Sequence, residues 1–142
     1  MKNELNRTIT IGTRESFSKT ITESDVSTFV GLVGDFNPQH VDVEYARRSR
    51  LGKRTIPVSL IGGLIASAIN TRLPGIGCTW LSQHIEFLSP VFIGDTLTVE
   101  VEVVSWEPDR RLMILKTDCY NQERRQVVTG QATLNVPEVQ AP

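Results

Sequence analysis

Apolar and polar residues recur along this chain with two different periods, and the change of period divides it into a helical first half and a stranded second half. Val26, Phe29, Val30 and Val33 fall at i, i+3, i+4 and i+7, the stripe of a helix packed along one side. Ahead of them, Thr22-Glu23-Ser24-Asp25 has the form of a capping signal. Thr22 is placed to accept an early N–H, Asp25 lies in the first turn, and Gly34 supplies a stop. A second helix is predicted over residues 58–70. Leu60, Ile61, Leu64, Ile65, Ala68 and Ile69 spread over much of its wheel, while Gly62, Gly63, Ala66 and Ser67 keep it thin. Such a helix can lie close against a sheet and be buried nearly all round. Pro57 fits at or just before its first turn, and Leu73-Pro74-Gly75 ends it.

After Gly77 the period becomes two. Leu81, Gln83, Ile85 and Phe87 share one face, with Trp80, Ser82, His84 and Glu86 on the other, until Pro90 interrupts the run. The clearest strand spans residues 96–104, where Leu97, Val99, Val101 and Val103 alternate with Thr98, Glu100 and Glu102. Glu107-Pro108-Asp109 reads as a turn, residues 112–120 as the next strand and Asn121-Gln122-Glu123 as another turn. Val128, Gly130, Ala132, Leu134 and Val136 then share the inner face of a last strand. An α+β fold follows: an antiparallel meander wrapping the helix of residues 58–70.

The length of 142 residues suits one domain, 1–142, with a core over about 8–137, a polar start at residues 1–7 and a proline-bounded tail at 137–142. Fifteen Lys and Arg against sixteen Asp and Glu leave a net charge of −1, with no basic surplus to grip a nucleic acid. No segment resembles a signal peptide or reaches the length of a membrane span, so a cytoplasmic protein without a membrane partner is expected. Cys78 and Cys119 lack ligand spacing, which points to buried thiols rather than a disulfide or metal site.

Candidate chemistry concentrates in Gly34-Asp35-Phe36-Asn37-Pro38-Gln39-His40-Val41-Asp42, just before the short amphipathic stretch Glu44-Tyr45-Ala46. A carboxylate, an amide and an imidazole share a loop that Gly34 and Pro38 restrict. Restriction is what an acid/base pair needs to hold both groups at a common water or substrate atom. The other reading is a surface turn, for which Asp, Asn and Pro are ordinary residues.

Gly34-Asp35-x-Asn37-Pro38-x-His40-x-Asp42 followed by Tyr45-Ala46 resembles the signature of the MaoC-like (R)-specific enoyl-CoA hydratases, which have the hot dog fold. Leu73-Pro74-Gly75, Leu81-Ser82-Gln83-His84-Ile85-Glu86-Phe87, Pro90-Val91, Gly94-Asp95 and Val128-Thr129-Gly130-Gln131-Ala132 continue the resemblance over residues 20–137. The resemblance implies a single hot dog unit, in a homodimer or larger homo-oligomer with sites between subunits. It also implies reversible hydration of a trans-2-enoyl-CoA to the (R)-3-hydroxyacyl-CoA, with a coenzyme A thioester as substrate and no cofactor or metal. By similarity, Asp35 and His40 hold the water and shuttle its proton, with Asn37 able to orient them. Backbone N–H groups at the start of the central helix would receive the thioester oxygen, and Gly62 is the candidate there.

Three departures fall in the expected pocket: Ile61-Gly62 stands where relatives often carry His-Gly, residues 54–60 are less like the usual version, and Asn70 stands where a small hydroxyl residue is usual. The cations Arg47, Arg48, Arg50, Lys53 and Arg54 are either solvated charge or contacts for the coenzyme A phosphates. His84 is expected to be partly exposed or interfacial. Alternative functions are a dehydratase acting on an acyl carrier protein, a thioesterase, and a catalytically silent acyl-thioester-binding subunit.

Overall fold

The computed structural model describes residues 9–138. Along them the chain forms β1 (Arg14–Thr20), α1 (Glu23–Val33), α2 (Pro38–Val41), α3 (Val43–Arg48) and α4 (Val58–Thr71), then β2 (Thr79–Phe87), β3 (Thr96–Glu107), β4 (Leu112–Tyr120) and β5 (Gln126–Asn135). The expected polar start at residues 1–7 and the last four residues of the expected tail lie outside the described residues.

The strands make one antiparallel sheet in the order β1-β3-β4-β5-β2. Its inner face closes on α4, whose Ile61, Ile65 and Ile69 are at most 2% exposed among Leu97, Val99, Val101, Met113, Leu115 and Leu134. Each such side chain stabilises the fold by about 1.5–3 kcal/mol on leaving water. This is the hot dog arrangement of a sheet around a central helix.

The strict alternation in β3 survives folding, with Leu97, Val99, Val101 and Val103 buried and Thr98, Glu100 and Glu102 half-buried. β2 departs from expectation. A bulge between Trp80 and Ser82 inserts a residue and resets the alternation. Trp80 and Ile85 therefore both pack on the core and Leu81 is exposed; Phe87, on the face of Ile85 but at the strand's end, is exposed as well. α1 is capped by Thr22 as the sequence indicated, in a complete capping box with Asp25. Only Val26 and Val30 are buried, because the helix covers the core with its first two turns and leaves Leu32 and Val33 outside.

β1 has no counterpart in the periodicity. Phe17 is its one large apolar residue, and the strand forms because its backbone pairs with β3 from Arg14↔Glu102 to Thr20↔Thr96. The hydroxyl pairs Ser18–Thr98 and Thr20–Thr96, each 2.7 Å apart, line the same seam. Of the two thiols expected in the core, Cys119 is buried and Cys78 only half-buried, at the turn into β2. Burial pushes the Cys119 thiol up to about 12, with Asp118 and Glu100 adding to the shift. Among the described residues, no helix is long and apolar enough to cross a membrane.

Candidate active site

The segment after α1 is built from successive caps. Gly34 ends α1 in the left-handed region at φ 78°, where its N–H reaches the Val30 carbonyl. Asn37 begins α2: its Oδ1 accepts from the Gln39 N–H at 3.0 Å, and Pro38 takes the first helical position, where no N–H is needed. Asp42 begins α3 in the same way, accepting from the Tyr45 N–H at 3.0 Å. Four polar residues of the motif thus acquire their tasks. Asn37 shapes the turn that presents His40, and its Oδ1 is spent on that cap. Asp42 holds the following helix, leaving Asp35 and His40 to face each other.

His40 Nε2 lies 3.7 Å from Asp35 Oδ2, with the imidazole 12% exposed and the carboxylate 42%. The other ring nitrogen, Nδ1, is 2.8 Å from the Thr55 carbonyl oxygen. A carbonyl can only accept, so the proton of the neutral ring is assigned to Nδ1 and the lone pair to Nε2, on the Asp35 side. The Thr55 hydroxyl lies 3.3 Å from the same Nδ1. One water oxygen can then sit about 2.8 Å from both Nε2 and Oδ2, donating a hydrogen to each.

Beside His40 lies an apolar cavity of about 290 Å³, bounded by Leu51, Ile56, Ile61, Phe87, Leu88 and Val91, with Thr55, Val58 and Ser89 also on its wall. Val58 opens α4, and no side chain caps this helix start. The N–H groups of Val58 and Ser59 belong to the first turn, which has no intrahelical acceptors for them.

This placement corrects the Gly62 expectation. Gly62 is the fifth residue of α4, where the i→i−4 pattern directs its N–H to the Val58 carbonyl. A Cβ there would make an ordinary 3.6 Å contact with Ile85, so close packing accounts for this glycine as well as ligand approach does. The free donors lie one turn earlier, and Pro57 was the signal that could have located them. Asn70 is also displaced from its expected role. It lies at the far end of α4, exposed, with Oδ1 accepting from the Trp80 indole at 2.8 Å and from the Cys78 thiol at 3.6 Å.

The five cations divide. Arg54 makes a two-pronged ion pair with Glu23 at 2.7 and 2.5 Å, which raises the guanidinium and lowers the carboxyl from their ordinary values. Arg47 pairs with Glu44 at 2.6 Å, and Arg48 donates to the Glu44 carbonyl at 3.3 Å. Lys53 stands over the Phe92 ring, 4.4 Å from its centre, and Arg50 is exposed. Arg47, Lys53 and Arg54 nevertheless border one open hollow of about 400 Å³. His84 is exposed, 3.3 Å from Glu86 on β2. Thr55, Gln39 and Val58 are the site residues that the sequence did not single out. Only the approach of residues 53–56 to α2 gives the first two a part.

A family model described as MaoC like domain matches residues 6–129. The chain is 38% identical over 126 residues to the (R)-specific enoyl-CoA hydratase of Rhodospirillum rubrum, covering 89% of this chain and 87% of that one. It is also 38% identical over 128 residues to the 3-hydroxybutyryl-CoA dehydratase of Methylorubrum extorquens, covering 90% and 81%. Among solved structures, the unliganded R-hydratase PhaJ1 from Pseudomonas aeruginosa superposes with a TM-score of 0.88 at 37% identity, covering 92% of this chain and 84% of that one. The (R)-hydratase of Aeromonas caviae gives 0.89 at 31% identity, covering 92% and 99%. Matched along most of its length and in its fold, the chain belongs to the MaoC-like domain family.

Proposed function

We propose that this protein is a hydro-lyase that reversibly adds water to a trans-2-enoyl-CoA, giving the (R)-3-hydroxyacyl-CoA. The observation that carries the reading is the facing of Asp35 and His40 across 3.7 Å, with His40 on the wall of an apolar cavity. Similarity to relatives named for this reaction supports it.

In the forward direction, water held by Asp35 Oδ2 and His40 Nε2 forms a bond from its oxygen to C3 of the conjugated thioester. One water proton passes to this pair, which delivers a proton to C2 and so returns to its starting state. Charge developing on the thioester oxygen is met by the first-turn N–H groups of α4 at Val58 and Ser59, where the helix dipole favours an anion. The acyl chain occupies the cavity beside His40, lined by Ile61 and Leu88. Addition of water changes no net oxidation state, and the developing charge is met by the helix N–H groups, so the reaction as written calls for no metal or redox cofactor. Lys53, Arg48 and Arg50 are the cations left for the coenzyme A phosphates, since Arg54 is committed to Glu23 and Arg47 to Glu44. A homodimer completes the site: β1 and β2 are open sheet edges, and Phe87 and Leu88 on the cavity wall are exposed.

A second reading, dehydration of an acyl carrier protein thioester, is favoured by one observation. The chain is 30% identical over 131 residues to a protein of Solanum lycopersicum named mitochondrial 3-hydroxyacyl-[acyl-carrier-protein] dehydratase.

The test is loss of enoyl-thioester absorbance with crotonyl-CoA, compared with the same acyl group on an acyl carrier protein. Asp35→Asn and His40→Ala should each lower kcat by about 10²–10⁴-fold. No hydration of either thioester by the unaltered protein, or full activity in both variants, overturns the assignment.

A further inference from the structure

We propose that Gln39 is a positioning residue, which fixes the Thr55 carbonyl that in turn holds the His40 imidazole in a single tautomer. The proposal rests on the catalytic reading of His40, but its first readout does not. Residues 53–56 run as a short extended segment with two hydrogen-bonding edges. On one edge, Ile93 N–H donates to the Arg54 carbonyl at 3.3 Å and Ile56 N–H donates to the Val91 carbonyl at 2.9 Å. On the opposite edge three groups go to Gln39 and His40. The Gln39 side-chain amide donates to the Lys53 carbonyl at 3.0 Å, the Gln39 carbonyl accepts from Thr55 N–H at 3.1 Å, and Thr55 C=O accepts from His40 Nδ1 at 2.8 Å.

Gln39 therefore grips the segment on both sides of Arg54 and sets how far the Thr55 carbonyl stands from the ring. The geometry penalises the alternative tautomer, whose Nδ1 lone pair would face a carbonyl oxygen at 2.8 Å in a setting where Thr55 is buried and water has little access. It also explains the residue type. The Lys53 carbonyl needs a donor, which neither an aliphatic side chain nor a carboxylate provides. Without that donor, one backbone bond and the imidazole itself hold this edge, and the segment can slide.

The variants Gln39→Met and Gln39→Glu separate this role from space-filling. Both are close to glutamine in size, and the second turns a donor into an acceptor aimed at a carbonyl. Imidazole ¹⁵N shifts of the substrate-free protein report the tautomer directly. The expected result is a protonated Nδ1 in the unaltered protein and a mixture of tautomers in both variants, larger in Gln39→Glu. With crotonyl-CoA, kcat should fall about fivefold in Gln39→Met, the equivalent of one hydrogen bond, and further in Gln39→Glu, with KM within about twofold. If Gln39→Glu does not fold, Gln39→Asn replaces it, keeping the donor but one methylene too short to reach Lys53. Unaltered tautomer populations in the variants overturn the proposal, whether or not activity falls. Equal behaviour of Gln39→Glu and the unaltered protein does the same. A protein that hydrates no thioester yet shows the tautomer change would refute the hydratase reading and leave the clamp standing.

Discussion

Replacing Gly130 with alanine should break the seam between β5 and β2, and the cost can be worked from the backbone alone. Gly130 is paired with Ile85, and a Cβ at this position would lie 2.1 Å from the His84 carbonyl oxygen, 3.1 Å from its carbon and 3.2 Å from Ile85 Cα. These are main-chain atoms that cannot rotate aside. Ordinary contact begins near 3.4 Å, so β2 must retreat by about 1.3 Å. A 2.9 Å ladder bond stretched by that amount exceeds 4 Å and ceases to be a hydrogen bond. Two or three such bonds at about 1 kcal/mol each, with strain in the neighbouring turns, put the loss at about 2–4 kcal/mol. The cavity should suffer too, because β2 ends at Phe87 on its wall. Urea unfolding followed by fluorescence of Trp80 and Trp106, at fixed protein concentration, measures the change. Gly63→Ala is the control. Nothing lies within 4 Å of a Cβ there, and the site is inside α4, so a gain of about 0.5–1 kcal/mol is expected. A Gly130→Ala midpoint equal to that of the unaltered protein would refute the steric reasoning.

Two further outcomes follow from the charges and thiols. Burial holds the Cys119 thiol at about 12 and raises that of half-buried Cys78 by a lesser amount. Iodoacetamide at pH 8 should therefore label Cys78 first and reach Cys119 only on unfolding, as read by peptide mass spectrometry; early Cys119 labelling contradicts the burial. Arg54 depresses the Glu23 carboxyl below its ordinary 4.5, so the ionised form is favoured by folding. Its contribution is present above that value and lost as pH falls through the depressed one. The thermal stability gap between the unaltered protein and Glu23→Gln should accordingly be present at pH 7 and close towards pH 3; a gap that persists there contradicts the ion-pair account.

Several elements were legible because their causes are local. The capping box from Thr22 to Asp25, the thin apolar helix behind Pro57 and the alternation of Leu97, Val99, Val101 and Val103 each depend on neighbours a few residues away, and each formed where the pattern placed it. The bulge at Trp80 had no such signature, since it arises from fitting β2 to β5. β1 had none either, because one phenylalanine among polar residues becomes a strand only when the edge of β3 is offered to it.

The same division holds at the site. The order of residues alone shows which chemistry is present: a carboxylate, an amide and an imidazole in a loop shaped by Gly34 and Pro38, ahead of a helix start marked by Pro57. Tertiary structure decided what each does. Asn37 gained the capping of α2 as a task for its oxygen, and Arg54 was free to meet a phosphate until α1 placed Glu23 against it. Gly62 and Asn70 fell away from the cavity because the turn of α4 sets which N–H groups are free and which residues look towards His40. The tautomer of His40 rests on a carbonyl fifteen residues further along the chain. No periodicity encodes such a contact, since hydrogen bonds between distant segments are fixed only when the sheet and α4 bring those segments together.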